Sequence, residues 1–354
     1  MAPDPMDVGR FSYQVFSQLQ GAVTAGMIHL GDRLGLYRAL ADGDGPLTTT
    51  ELAGAAGLEE RWVREWAYNQ GAAGIVCIDD DERLSLSEAA VAVLADPDSP
   101  AFGMGLFSNL PQTMGDLERL PEAFRTGRGL TYDDHGPVCA DAIAKGFEPW
   151  MRANLVPVVL PLLDGVVDAL DAGGLILDVG CGAGGAALML ADRFPLARVA
   201  GYDISEHALA RARERGAGHD RVSFHDPRLE PMPTDGFARL VTTFDCIHDM
   251  ADPMTVIRAM RAAIADDGTW LLVDIKALDT YAANVERNPM AALMYGTSVL
   301  TCMSSALSEP EGAGLGTLGL SATKAEGMAR DAGFTRFRQL EVDHPVNAFY
   351  EIRP

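Results

Sequence analysis

The spacing of apolar residues changes near residue 147 and divides the chain into two regions of different class. Before that point apolar positions recur mostly every three or four residues, as over residues 11–40, which predicts helices. After it, short apolar runs alternate with helical stretches, which predicts a parallel sheet covered by helices on both faces. The predicted strands are, in chain order, 175–179, 199–202, 222–224, 240–244, 269–274, 336–341 and 348–352.

The first region contains the pattern of a helix-turn-helix. Thr48 and Glu51 form a capping box that starts a short helix, and a second helix follows over residues 59–69. Residues 75–86 alternate between apolar and polar around three consecutive aspartates, as a strand, a turn and a strand do. Helix, turn, helix and wing together predict a winged-helix domain over residues 1–100, a module that often binds DNA.

The charge of this domain does not suit DNA. The formal net charge of the chain is −22, which repels a phosphate backbone and an anionic membrane alike. The second helix sets three glutamates against two arginines, and the wing tip is acidic. Trp62 and Trp66, four residues apart, are expected to lie exposed on one helical face and to favour a protein interface. We therefore expect no nucleic-acid partner.

Composition narrows the class further. Apolar residues make up 48% of 354 residues, enough for packed cores, and no run is long enough to span a membrane. The start of the chain lacks the basic flank and apolar run of a secretory signal, which favours a cytoplasmic protein without a membrane partner. The five cysteines are scattered, and neither they nor the histidines show metal-ligand spacing, so no metal is expected.

Two segments fall outside the regular patterns. Residues 101–146 contain scattered Gly and Pro with weak periodicity, and we predict a linker that also covers the active site. The insertion 277–320 is too long for an ordinary loop and is expected to fold as a helical lid. The remaining second domain then extends over residues 147–354, with the lid inside it.

A glycine-rich turn follows the first predicted strand of the sheet. Glycines are needed there because the backbone turns sharply and a ligand approaches it within van der Waals distance. The turn fits two templates: Gly180, Gly182 and Gly185 match the GxGxxG of dinucleotide-binding proteins, whereas Asp178, Gly180, Gly182 and Gly184 match the (D/E)xGxGxG of methyltransferases.

The carboxylate of Asp178 favours the second template. It would repel a pyrophosphate, whereas S-adenosylmethionine carries an ammonium and a sulfonium and no phosphate. Asp203, about 20 residues beyond the glycines, stands where a carboxylate takes the ribose hydroxyls in both kinds of protein. Asp226, after the third strand, is expected to accept a hydrogen bond from the adenine amino group, an ordinary turn aspartate being the alternative. The expected cofactor is S-adenosylmethionine, with S-adenosylhomocysteine as its product.

Residues 240–253, Leu-Val-Thr-Thr-Phe-Asp-Cys-Ile-His-Asp-Met-Ala-Asp-Pro, resemble the winged-helix small-molecule O-methyltransferases, whose fourth strand ends in a His-Asp dipeptide. The resemblance covers most of the chain, and the chain is similar in particular to a bacterial branch with the same Cys-Ile-His-Asp-Met and Leu-Gly-Thr-Leu-Gly stretches. It implies an α/β fold with a Rossmann-like class I methyltransferase sheet of seven strands, the last one antiparallel, and a homodimer made through the N-terminal domain.

The resemblance also implies roles for single residues. His248 would be the general base and Asp249 a contact of the cofactor or of the base, the alternative being a histidine that caps the next helix. A base with a pKa near neutrality suits methyl transfer, which needs little beyond alignment and removal of a proton. Asp274 matches a carboxylate that orients the base, although the family usually has Glu there and its second glutamate is missing from residues 316–321. The expected cofactor contacts are Phe147, Met151, Asp178, Gly180, Cys181, Gly182, Gly184, Asp203, Ile204, Asp226 and Phe244.

The acceptor pocket is expected to combine the lid with the segment 101–146, ordinary core packing being the alternative for such residues. The predicted lining residues are Tyr132, His135, Asn284, Met290, Met294, Tyr295, Met303 and Ser304.

Four functions stay open on the sequence. The leading interpretation is methylation of an oxygen of a small, partly apolar metabolite, with His248 as base. Methylation of a carbon, a nitrogen or a carboxylate, on a natural product or a peptide, is the second. A ligand-sensing winged-helix regulator and a nicotinamide oxidoreductase are the others, the acidic domain arguing against the former and Asp178 against the latter.

Overall fold

The computed structural model describes residues 3–354, so that Met1 and Ala2, part of the start considered above, lie outside it. The chain divides into two compact units. One contains residues up to 111 together with 145–150, and the other contains 112–144 together with 151–354.

Helices make up most of the N-terminal part. The long first helix begins where Asp4 caps the amide of Met6 at 2.9 Å and Pro5 occupies its first turn. The elements up to residue 154 are α1 (Pro5–Arg33), α2 (Leu36–Ala41), α3 (Thr49–Ala56), α4 (Glu60–Ala72), β1 (Cys77–Ile78), β2 (Leu84–Ser85), α5 (Glu88–Leu94), α6 (Gly105–Ser108), α7 (Leu110–Gly115), α8 (Leu120–Thr126) and α9 (Val138–Asn154).

The predicted helix-turn-helix and wing are confirmed. The capping box is formed in both directions, with the Glu51 amide 3.2 Å from the Thr48 hydroxyl and the Thr48 amide 2.8 Å from the Glu51 carboxylate. Strands β1 and β2 pair as an antiparallel wing, Ile78 opposite Leu84. Both arginines of α4 form ion pairs with glutamates of the same helix, Arg64 with Glu60 and Arg61 with Glu65, each at 2.5 Å.

One expectation for α4 is wrong. Trp62 is 81% exposed, but Trp66 is only 5% exposed and belongs to the core of this unit. Its indole nitrogen donates to the carbonyl of Met27 at 2.9 Å, and its ring meets Tyr37 edge-on at 5.4 Å. The two tryptophans are neighbours on the helix but differ in burial, because α1 and α2 pack over Trp66 and leave Trp62 exposed.

Residues 101–146 are more regular than their sequence indicates. Besides α6, α7 and α8, they include short 3-10 helices at Asp116–Glu118 and Tyr132–His135. Pro137 precedes α9 directly, so that proline marks a helix start here. Weak periodicity here reflects helices of only four to seven residues, which are too short to display a repeated apolar face.

All seven predicted strands are confirmed, and they form one sheet. The order is β5-β4-β3-β6-β7-β9-β8, in which β9 runs antiparallel to both of its neighbours. The strands are β3 (Gly174–Val179), β4 (Ala197–Tyr202), β5 (Val222–His225), β6 (Ala238–Phe244), β7 (Ile264–Ile275), β8 (Arg336–Leu340) and β9 (Asn347–Arg353).

Helices connect these strands. They are α10 (Val166–Asp171), α11 (Gly185–Arg193), α12 (Glu206–Arg215), α13 (Pro253–Ala263), α14 (Tyr281–Arg287), α15 (Ala291–Thr297), α16 (Met303–Ala306) and α17 (Ala322–Asp331). Three of them, α14 to α16, lie within 277–320, where a helical insertion is predicted. Among the helices seen between residues 3 and 354, none is long and apolar enough to cross a membrane.

Candidate active site

The sheet has its switch point between β3 and β6, the place where parallel α/β sheets form a ligand crevice beyond the carboxyl ends of their strands. The glycine turn lies there, with left-handed backbone at Gly180 (φ 72°), Gly182 (φ 52°) and Gly184 (φ 79°). A side chain at Gly180 would come within 2.6 Å of Cys246, whereas one at Gly182 would meet no atom of the described residues within 4 Å. The turn is therefore packed from below and open on the side where a ligand would rest.

Asp178 lies beneath this turn and is buried. Its Oδ1 accepts a hydrogen bond from the hydroxyl of Thr242 on the neighbouring strand at 2.8 Å, and its Oδ2 finds no partner among the residues described. Burial raises the pKa of Asp178 to about 6, in spite of the Thr242 bond, and the charge of Asp203 raises it further. The carboxylate therefore lies in a surplus of negative charge that a cation would relieve.

Asp203 closes the turn from the end of β4. Its Oδ2 accepts the amide of Gly182 at 2.8 Å, and its Oδ1 accepts the amide of Ser205 at 2.9 Å. Each carboxylate oxygen keeps a free lone pair, because an ionised carboxylate accepts about four hydrogen bonds. Asp203 is thus fixed against the glycine turn with capacity left for two hydroxyl groups.

The carboxylate of Asp226 is already paired with an arginine of the chain, which the sequence does not indicate. The guanidinium of Arg228 donates hydrogen bonds to both carboxylate oxygens of Asp226 at 2.7 to 3.1 Å, and these bonds lower the pKa of Asp226. The same guanidinium donates to the carbonyl of Ile204 at 2.8 Å. The side chain of Ile204 is half exposed beside it. An adenine ring at this place would therefore meet an ion pair rather than a lone carboxylate.

His248 and Asp274 form a buried pair at the ends of β6 and β7. The Nδ1 atom of His248 is 2.6 Å from Oδ1 of Asp274, and the histidine is only 2% exposed. Burial lowers the pKa of His248, but the charge and the hydrogen bond of Asp274 outweigh it and hold the pKa well above its ordinary value. Because an ionised carboxylate only accepts, Nδ1 carries its proton, and Nε2 is the other hydrogen-bonding atom of the ring. The thiol of Cys302 also bonds His248.

Two more carboxylates stand beside this pair. Asp245 has a left-handed backbone (φ 47°), and Asn347 from β9 donates to its Oδ1. Burial raises the pKa of Asp245 and that of Asp249 to about 7 each, and the charge of Asp274 adds to both shifts. Asp249, like Asp178, is also repelled by Asp203. Acidic groups therefore surround the crevice from the glycine turn to the histidine.

Residues 128–135, which we call the cover segment, connect the lid to the cofactor turn. On one side the amide of Leu130 donates to the Ser304 hydroxyl at 2.8 Å. On the other, the Asp133 carboxylate accepts the Ser205 hydroxyl at 2.5 Å and the Glu206 amide at 3.1 Å. The segment thus spans from the lid to the loop that follows Asp203.

The predicted residues Tyr132 and His135 both lie in the cover segment. Burial raises the pKa of Tyr132 well above its ordinary value, and the charges of Cys139, Asp249 and Asp203 raise it further, so Tyr132 lies close to the acidic crevice. His135 is buried and pairs with Asp116 at 3.2 Å. The structure therefore brings both residues to the cover of the predicted site.

The lid residues divide between two environments. Asn284 is buried, and its amide is spent on the backbone of residues 278 and 280, so it holds the loop before α14. It also lines, with Tyr295 and Lys324, a cavity of about 380 Å³ between α14 and residues 313–324. Met290 is exposed, whereas Met294, Met303 and Tyr295 are half-buried, and the ring of Tyr295 lies 5.6 Å from that of Tyr281. Among the predicted lining residues of the lid, Ser304 contacts the cover segment through its hydrogen bond with Leu130.

The remaining predicted cofactor residues lie on several elements. Cys181 is buried within the glycine turn, and Phe244 ends β6 half-buried. Phe147 and Met151 are four apart on α9 as expected, but the first belongs to the N-terminal unit and the second, which is buried, to the other.

Sequence reasoning did not identify four residues that the structure places here, namely Asp116, Asp133, Asp245 and Cys302. Asp133 lies within residues 131–135, Thr-Tyr-Asp-Asp-His, and Asp245 lies within the motif 240–253, so both stretches carried a usable signal. Asp116 and Cys302 act through partners distant in the chain, and the sequence carries no local pattern that marks them.

Comparison with known families gives two matches. Residues 170–338 match the family described as a methyltransferase domain, and residues 22–95 match the one described as an Rv2258c-like winged HTH domain. Over 127 residues the chain is 33% identical to the ubiquinone biosynthesis O-methyltransferase of Pseudomonas paraeruginosa, covering 34% of this chain and 49% of that protein. The chain spans less than half of the length of the curated relatives it matches.

Solved structures resemble the whole chain. Human N-acetylserotonin methyltransferase, solved in complex with S-adenosylmethionine, is 16% identical, with a TM-score of 0.70 over 99% of each chain. The mitomycin 7-O-methyltransferase is 21% identical, with a TM-score of 0.65 over 99% of each chain. At such identities the likeness establishes the fold.

Proposed function

We propose that this chain, which carries a methyltransferase domain behind a winged helix-turn-helix domain, transfers the methyl group of S-adenosylmethionine to an oxygen of a small, partly apolar molecule. One observation carries the proposal. A histidine buried with a carboxylate on Nδ1 lies in the crevice formed by the acidic glycine turn. The location is expected to be cytoplasmic.

The residues of the turn suit the cofactor that this domain implies. Gly182 leaves open space for the ligand, and Asp203 has lone pairs for two ribose hydroxyls. Asp203 repels both Asp178 and Asp249, and a ligand with an ammonium and a sulfonium relieves that repulsion whereas a pyrophosphate adds to it. The charges therefore favour S-adenosylmethionine over a dinucleotide.

The mechanism asks little of the protein beyond placement and proton removal. When bound, the cofactor supplies an electrophilic methyl group. Nε2 of His248 takes the proton from the acceptor hydroxyl, while Asp274 fixes the ring orientation and stabilises the imidazolium that results. The burial of both residues excludes water from this proton transfer. A carboxylate acceptor is already ionised and needs no such base, so the pair favours an acceptor that must lose a proton, of which a hydroxyl is the simplest.

Calorimetric titration tests the proposal directly. We expect S-adenosylmethionine and S-adenosylhomocysteine to bind with micromolar affinity and NADH, as the control, not to bind. Binding of NADH alone would contradict a methyltransferase function. After cofactor binding is established, transfer of a labelled methyl group to phenolic test acceptors measures the reaction itself.

The pH profile of methyl transfer follows from the raised pKa of His248. The base works only when neutral, so activity is expected to rise with pH through a value above the ordinary histidine pKa. Asp274→Asn removes the charge that raises this pKa, and the acidic limb should move to lower pH while kcat falls by part of the about 10²–10⁴-fold that a positioned base contributes. The hydrogen bond and the charge of Cys302 remain and keep some of the shift. A limb that stays in place in Asp274→Asn would mean that another group limits the profile.

Helix α1 offers a surface for a second copy of the chain. Its side chains leave large apolar groups exposed over about five turns, which a monomer in water rarely does. These residues are Met6, Val8, Phe11, Tyr13, Val15, Phe16, Leu19 and Val23. We propose that the chain is a homodimer that buries this helix, and that the N-terminal domain serves assembly rather than nucleic-acid binding.

Phe16→Glu tests the dimer. Phe16 is 68% exposed, and a charge in its place would be buried against the partner helix, so we expect a monomer by sedimentation equilibrium. Gln18→Glu, which adds the same charge at an exposed polar position of the same helix, is the matched control and should stay dimeric. Equal masses for wild type and Phe16→Glu would exclude α1 as the interface.

A further inference from the structure

A second buried histidine and aspartate pair lies apart from His248. Nδ1 of His135 is 3.2 Å from Oδ2 of Asp116, and the two side chains are 1% and 2% exposed. The other oxygen of Asp116 accepts weaker hydrogen bonds from Gln112 at 3.3 Å and from Arg119 at 3.4 Å. The carboxylate therefore holds the proton of the imidazole on Nδ1, as Asp274 does for the first pair.

The opposite ring nitrogen of His135 is left without a partner. Its Nε2 is buried and makes no hydrogen bond with any atom of residues 3–354. A buried polar atom in that state costs about 1–3 kcal/mol, and native proteins usually satisfy it with water or a ligand. In an imidazole that carries its proton on Nδ1, the second ring nitrogen Nε2 is a hydrogen-bond acceptor. This nitrogen needs a hydrogen-bond donor, an O–H or N–H group, that is not part of the chain.

The position of this nitrogen connects it with the reaction site. His135 ends the short 3-10 helix of the cover segment, and Asp133 in the same helix bonds Ser205 beside Asp203. Tyr132, whose ring lies 6.2 Å from that of His135, bonds the thiol of Cys139. Burial raises the pKa of Cys139 to about 11, and the charges of Asp249 and of Asp116 both add to the shift. The thiol of Cys139 therefore lies within reach of the charge of Asp116 in this pair and of the charge of Asp249, the residue after His248.

We propose that His135, oriented by Asp116, binds a second polar group of the acceptor molecule, a hydroxyl or an amine whose hydrogen Nε2 accepts, while the hydroxyl to be methylated meets His248. The inference rests on the proposed function and names its substrate class. The acceptor carries at least two separated polar groups, of which one is a hydrogen-bond donor that is not methylated. A molecule with one hydroxyl on an otherwise apolar frame leaves His135 unsatisfied and is a poorer substrate.

Nitrogen NMR of the histidine rings tests this on the intact protein loaded with S-adenosylhomocysteine. The probes are catechol, resorcinol, hydroquinone and 4,4′-dihydroxybiphenyl, each compared with its monohydroxy parent, so that the spacing of the two groups varies. We expect at least one diol to shift Nε2 of His135 while its parent does not. If every diol leaves the His135 signals where its parent leaves them, the proposal is wrong and bound water satisfies this nitrogen instead.

Variants then separate binding from structure. In His135→Leu the KM for the responding diol should rise about tenfold, the loss of one good hydrogen bond, with little change for the parent phenol. His135→Gln, which keeps a polar group near the position of Nε2, should recover part of the difference. Equal losses for diol and phenol in both variants would indicate a purely structural role. If His135→Leu does not bind S-adenosylhomocysteine, the test uses His135→Gln alone. A ratio of the KM values for diol and phenol that is the same in His135→Gln as in the wild type then contradicts the proposal.

The outcome is distinguishable from failure of the proposed function. Failure of the wild-type protein to bind S-adenosylhomocysteine would contradict the methyltransferase function itself. Normal cofactor binding with silent His135 signals would contradict only the second subsite.

Discussion

His248→Ala is expected to lower kcat for methyl transfer by about 10²–10⁴-fold, the usual contribution of a positioned general base, while S-adenosylmethionine binds as well as before. The reason is that, in the proposed mechanism, Nε2 of His248 takes the proton of the acceptor hydroxyl while Asp274 holds the ring from the other side, whereas the cofactor turn is built by other residues. Single-turnover kinetics with labelled cofactor, together with calorimetry, measure the two effects separately.

His207→Ala is the matched control for this experiment. His207 is an exposed histidine on α12, so its loss should change neither the rate nor cofactor affinity. A His248→Ala protein that keeps most of its kcat would show that alignment alone drives the transfer and that the histidine only positions the acceptor.

Asp203→Ala is expected to have the largest effect on cofactor affinity. Hydrogen bonds from hydroxyls to a charged group contribute about 1.5–3 kcal/mol each, so loss of two predicts a Kd raised at least about 100-fold. The substitution also leaves the amides of Gly182 and Ser205 without their acceptor, which loosens the turn itself. Isothermal titration with S-adenosylhomocysteine measures the change.

Asp203→Asn and Asp220→Ala complete this series. The asparagine side chain keeps the shape of Asp203 and one acceptor oxygen, so an intermediate loss of cofactor affinity is expected. Asp220 is an exposed aspartate, and its replacement by alanine should leave cofactor affinity unchanged. Should Asp203→Ala and His248→Ala reduce cofactor binding equally, the separation of cofactor and catalytic residues drawn above is incorrect.

The sheet was predictable because its information is local. Each buried strand is a short apolar run between turn residues, and such runs beside helical stretches have few alternative arrangements. The capping box at Thr48 is likewise contained in four consecutive residues. Trp66 shows the limit. Helical spacing places Trp66 near Trp62 on the helix. The burial of Trp66 is decided by the packing of α1 and Tyr37 against it, which the sequence of α4 does not reveal.

The same limit applies to the candidate site. Asp178, the glycines and His248 belong to contiguous motifs, and the structure brings them to one crevice. Contacts between distant positions were not predictable, such as Asn347 on Asp245, 102 residues apart, or His135 on Asp116. Nor does a motif show that a neighbour already occupies a side chain, as Arg228 does for Asp226.

The cover segment has a consequence for the order of events in a turnover. It is hydrogen-bonded to Ser304 and Leu307 of the lid and to Ser205 in the loop after Asp203, so that it connects the lid with that loop. A side chain at Gly129 would lie 1.9 Å from the Ser304 carbonyl, which shows how closely lid and cover meet. Moving the cover to release a methylated molecule thus disturbs the loop that holds the spent cofactor. We therefore expect the two products to leave in one opening, with a rapid first turnover followed by slower cycles limited by that release.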